Sequence, residues 1–159
     1  MTIMMAEISE MLDICGYNKK RFDDSELDNM KKRLEREGYE IFDYAWDIVK
    51  SYYKMVFGCK TKPALTGYET VALAHLNGRF VINPLDIRDE QERLDEIGKE
   101  IGDYLFPLGI YNGYYLVAGK SKRIYTIAPN IAVAGNDFEN FLCRFYRNEK
   151  PVPYEQLEE

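Results

Sequence analysis

The chain carries a single histidine, His75, and only three cysteines, at positions 15, 59 and 143, in 159 residues. That supply cannot build a four-ligand Cys/His zinc site, which needs closely spaced ligand pairs. An odd, scattered set of thiols also fails as a disulfide framework and suits a reducing compartment. Long apolar runs are missing too. No stretch reaches the 18 or more residues that a membrane-spanning helix needs, so no membrane insertion is expected. The N-terminal MTIMMAEISEMLDICGY has no basic region and interrupts its apolar residues with Glu7, Glu10 and Asp13, unlike an export signal. A cytoplasmic location follows as the expectation. Positive charge is also short: 21 Lys and Arg face 27 Asp and Glu, a formal charge of −6. That balance argues against direct nucleic-acid binding, which rests on a basic surface.

What is present reads as an ordinary globular composition, 46% hydrophobic and 30% charged. The length fits one domain with its own core, expected over residues 1–150, followed by an acidic tail over 151–159. The negative charge is local. Asp86–Asp103 holds eight acids against three bases, and Glu155, Glu158 and Glu159 add three more at the C-terminus. The remainder of the chain is slightly basic.

Apolar residues in the first half recur at helical spacing. Met4, Met5, Ile8, Met11, Leu12 and Cys15 line one predicted helix, closed by Gly16. Ser25 is placed to cap a second, with Leu27, Met30 and Leu34 as its stripe. A third runs from about Glu40 to Met55 and buries Ile41, Ala45, Ile48, Val49 and Tyr52. Beyond Pro63 the pattern turns to short apolar runs. Asn77-Gly78 and Asn112-Gly113 each separate two such runs, the strongest local hairpin signal. The acidic segment keeps a helical stripe of Leu94, Ile97, Ile101 and Leu105 beneath its carboxylates, weakened by Gly98 and Gly102. A last helix is expected over Asp137–Arg147, with Asn136 and Glu139 as a capping box. Residues after Pro151 are expected to fray. The fold class is therefore α+β: a single domain with a mostly antiparallel sheet flanked by N-terminal and C-terminal helices.

Catalytic signals are thin. His75 and Cys59 supply the residue types of a thiol hydrolase, without any local signature that groups them. Gly58–Lys62, GCKTK, lacks the glycine directly before lysine that a phosphate-binding loop requires. The acids show no Asp-x-Asp-x-Asp-Gly spacing for calcium. No catalytic residue, metal site or cofactor is assigned. The binding signals are stronger. Asp89, Glu92, Asp95, Glu96 and Glu100 concentrate a field that can steer a basic partner. Tyr111, Tyr114 and Tyr115 flank a predicted turn and combine large rigid surface with a polar tip, as interface anchors do.

Several strings in order resemble the third subfamily of the SUKH superfamily of bacterial immunity proteins. They are CGYNKKR (Cys15–Arg21, with Tyr17 where tryptophan is usual), YAWDIVKSYYKMVFG, LFPLG (Leu105–Gly109), RIY (Arg123–Tyr125) and GNDFENFL. The resemblance spans Met11–Arg147. It departs at Gly58-Cys59-Lys60, where Gly-Gly-Leu is common, and at Lys20, where glycine is common. The resemblance implies a SUKH-like fold and a cytoplasmic antidote without enzymatic activity. Such a protein binds a cognate protein toxin, often a nuclease with a basic cleft, and neutralises it non-covalently. An intracellular scaffold or regulatory protein-binding module is the alternative that the same superfamily implies.

Overall fold

The computed structural model describes residues 3–15, 24–59, 78–87, 89–127 and 129–157. Three helices come first: α1 (Ile3–Cys15), α2 (Asp24–Arg36) and α3 (Asp43–Tyr52). Among the described residues, strands β1 (Val56–Gly58) and β2 (Arg79–Ile82) follow, then a 3-10 turn at Pro84–Asp86 and helix α4 (Gln91–Ile101). Four strands then run consecutively: β3 (Leu105–Tyr111), β4 (Tyr114–Gly119), β5 (Ile124–Ile127) and β6 (Ile131–Gly135). Helix α5 (Phe138–Tyr146), strand β7 (Val152–Pro153) and the short helix α6 (Tyr154–Leu157) complete the described chain.

All seven strands form one antiparallel sheet whose spatial order is the chain order. The architecture is α+β, a single domain with helices at both ends. Asn112-Gly113 makes the β3–β4 hairpin as expected, with both residues at positive φ and Tyr111 opposite Tyr114. The predicted hairpin at Asn77-Gly78 is only partly described. Gly78 leads into β2, whose two neighbours are β1 and β3; Asn77 and the apolar run before it lie outside the described residues. His75 and the string Gly16–Arg21 lie outside them as well.

Strand register assigns the side chains to two faces. On one, Phe57, Phe80, Phe106 and Tyr111 meet α5 and α3. Phe57 stacks on Phe80 at 4.4 Å, and Phe80 meets Phe145 edge-on at 4.6 Å. Phe106 packs against Phe42 and Tyr39, each at 6.0 Å. Helix α1 lies against α5 and adds Met11 to this core, and the Arg147 guanidinium clasps the Glu7 carboxylate across the two helices. The opposite face carries Leu105, Val117, Tyr115, Tyr125 and Ile127, and α4 lies over it.

Several boundaries differ from the sequence expectation, each for a local reason. Helix α5 is capped by Asp137, not Asn136: its carboxylate accepts from the Asn140 N–H at 2.7 Å, and the Asn140 side chain accepts from the Asn136 N–H at 3.0 Å. The expected Asn136–Glu139 box is not formed; Asp137 caps the helix and the Asn140 side chain returns to the N–H one residue before that cap. Ser25 lies inside the first turn of α2, which starts at Asp24. Pro151 does not begin a frayed end. Val152 pairs with Val133 and Pro153 with Ala132, and the Tyr154 hydroxyl donates to the Ile101 carbonyl at 3.4 Å.

Candidate binding face and groove

The acidic segment does not form one helix from end to end. Asp86 sits in the 3-10 turn, and Asp89 lies before α4 at φ 56°, so neither belongs to the helix proper. Glu90 is the N-cap, and the helix ends at Ile101 because Gly102 turns left-handed at φ 71°. The N–H groups of both Gly102 and Asp103 then bond to the Gly98 carbonyl, satisfying it in the manner of a Schellman-type close. Leu105, expected as the last position of the helical stripe, is instead the first residue of β3. Gly98 has a separate reason: a Cβ there would stand 2.5 Å from the Asp103 carbonyl oxygen. The two residues that weaken the helix by roughly 1 kcal/mol each relative to alanine are thus the ones that seat it and end it.

Leu94 is buried under α4, and Ile97 and Ile101 are half-buried beside it. Glu92, Glu96, Lys99 and Glu100 are exposed on the other side. Among the described residues, Asp89, Glu92, Glu96 and Glu100 have no hydrogen-bond or ion-pair partner. Asp95 is half-buried and accepts a hydrogen bond from the Gln91 amide. Arg93 tethers the N-terminal end, donating to the Pro129 carbonyl at 3.4 Å and pairing with Glu90 at 3.8 Å.

The three tyrosines do not converge. Tyr111 is 6% exposed, its ring 5.6 Å from Phe145 and 6.2 Å from Phe141, so it is a core residue and not a surface anchor. Tyr115 points to the opposite face and donates its hydroxyl to Glu90 at 3.1 Å, which occupies it in holding the start of α4. Only Tyr114, at the hairpin tip and 44% exposed, presents a large apolar surface to solvent. Strand alternation sends neighbours 114 and 115 to different sides.

A groove of about 610 Å³ opens beside the C-terminal half of α4. Leu94, Gly98, Tyr104 and Leu105 contribute to its apolar surface, with Asp95, Lys99, Asp103 and Lys120 as its charged groups. Asp103 is the organising side chain. One carboxylate oxygen accepts from the Tyr104 N–H at 2.8 Å and the Ser121 N–H at 3.2 Å. The other accepts from the Ser121 hydroxyl at 2.5 Å and the Tyr125 hydroxyl at 2.7 Å. Burial and the adjacent Asp103 carboxylate push the Tyr125 phenol up to about 12, so it stays protonated and donating at neutral pH. Lys120, on the β4–β5 turn, pairs with Glu40 at 2.8 Å and lies over the Tyr104 ring at 5.4 Å.

In the sequence Asp103 is one acid among the eight of Asp86–Asp103, and nothing local marks the groove. Its walls come from residues 94–105 and 120–121, which only the β3–β4 hairpin brings together. Cys59, the sequence's nucleophile candidate, is 3% exposed. Among the described residues there is no group of three or more His, Cys, Asp or Glu arranged to hold a metal, and no helix long and apolar enough to cross a membrane. Comparison with known protein families, curated proteins and solved structures finds no significant match.

Proposed function

We propose that this chain is a non-catalytic binding protein that neutralises a protein toxin with a basic surface, as an immunity protein of a bacterial polymorphic toxin system. One observation carries the reading. Helix α4 is fixed to the sheet through Leu94 and Gly98, yet Glu92, Glu96 and Glu100 face outward with no partner among the described residues. A rigid helix that leaves three carboxylates uncompensated repels its own charges and is suited to meet an opposite field. The resemblance of its sequence strings to SUKH proteins supplies the class of partner, and a nuclease toxin offers the matching cleft. The activity requires no chemistry from this chain, only occupation of the toxin's surface.

The test joins growth and kinetics. The chain is co-expressed with the toxin domain encoded beside its gene, and rescue of growth is expected. Association of the purified pair is then measured from low to high salt. The rate is expected to fall by tenfold or more as screening shortens the reach of the charges. Replacing Glu92, Glu96 and Glu100 together by glutamine is expected to slow association and flatten the salt dependence. Absence of rescue overturns the immunity role; a salt-independent rate overturns the part played by α4.

A further inference from the structure

We propose that the groove beside the C-terminal end of α4 seats a single arginine side chain of the basic protein partner. The proposal rests on the preceding reading for the source of that arginine, and on the groove itself for its chemistry. Two carboxylates and two ammonium groups line the groove, but they are not equally spent. Lys120 is neutralised by Glu40 at 2.8 Å. Asp103 is held by four neutral donors and by no cation, so its charge is oriented but uncompensated. Asp95 accepts only the neutral Gln91 amide, which leaves most of its acceptor capacity open. The C-terminal end of α4 adds the negative pole of its dipole at the same place. Against these stands Lys99 alone, exposed at the rim in the last turn. The balance inside the groove is negative.

The shape suits the same occupant. Leu94, Leu105 and the Tyr104 ring give an apolar path for an alkyl stem, and a volume of about 610 Å³ holds one long side chain with its flanking backbone. A planar guanidinium matches this site better than an ammonium. It can present two parallel N–H groups to Asp95 while its stem runs along Leu94 and Leu105.

The probe is N-acetyl-arginine amide, titrated into the isotope-labelled full chain and followed by NMR. The amide signals of Gly98, Gly102, Tyr104 and Ser121 are expected to shift together and saturably, with a dissociation constant on the order of millimolar for one side chain. Asp95→Asn is expected to weaken binding about fivefold, the upper end for a solvent-accessible pair. Lys99→Ala is expected to strengthen it about twofold by removing the opposing charge. Equal shifts with N-acetyl-norleucine amide would make the groove merely apolar, and saturation by N-acetyl-glutamate amide would make it an anion site. Spermidine binding where the arginine probe does not would point to a free polyamine. Each of these results, or no saturable shift, overturns the proposal. Because the probe needs no toxin, this failure is distinct from a failure of growth rescue.

Discussion

The two faces of the sheet are built from the same kind of residue and do different things with it. On the face covered by α1, α3 and α5, aromatic rings pack against one another: Phe57, Phe80, Phe141 and Phe145 interlock with Tyr111. On the face covered by α4, the aromatic residues are tyrosines whose hydroxyls are committed, Tyr115 to Glu90 and Tyr125 to Asp103. Packing closes the first face, while hydrogen bonds frame the second around a groove. The contrast shows how one sheet can hold its shape on one side and keep polar, addressable surface on the other.

Breaking the dry face should cost most. Phe80 is fully buried among three other phenylalanines, so Phe80→Ala removes a ring from a site that cannot collapse around the loss. A destabilisation of about 3–5 kcal/mol is expected in urea unfolding. The hydrogen-bonded face should respond less. Tyr125→Phe deletes one charge-assisted bond and leaves Asp103 with three donors, for a cost of about 1.5–3 kcal/mol.

That second variant also has a signature in pH. The phenol is near 10 when unfolded and about 12 when folded, so the folded state holds the proton more tightly. The stabilisation is complete below pH 10 and is lost as pH rises from 10 towards 12. Stability of the parent chain, followed by circular dichroism, should therefore decline across that window, and Tyr125→Phe should show a shallower decline. Tyr53, also raised to about 12 by burial and by Glu26, leaves part of the decline in place. The smallest effect is expected on the solvent side of α4. Replacing Glu92, Glu96 and Glu100 by glutamine should move stability by no more than about 0.5 kcal/mol, since none contacts the core. A large loss there would mean that the carboxylates serve the fold.

Much of this division was legible in the sequence, and the gaps follow a pattern. Periodicity found the buried stripes of α2 and α5 and the hairpin at Asn112-Gly113, because each is decided by neighbours within a few residues. The end of α4 is not legible, because Leu105 continues the helical spacing while the stop is set by a left-handed Gly102. Turn-flanking tyrosines look alike in sequence, so Tyr111 resembles an anchor; its burial depends on α5, which lies some thirty positions downstream. The groove was invisible for the same reason, since Asp103, Ser121 and Tyr125 meet only through strand pairing. Local physics was readable, and long-range juxtaposition was not.

The last strand carries a consequence of its own. Among the described residues no strand pairs with the outer edge of β7, and such an edge is one that another molecule can extend. Here the edge is only Val152 and Pro153, with Pro151 immediately before. Proline has no N–H to offer, so an incoming strand would find its ladder broken at two of three positions. The pair of prolines therefore works as a terminator, letting the C-terminal segment join the sheet while denying the same place to a second chain.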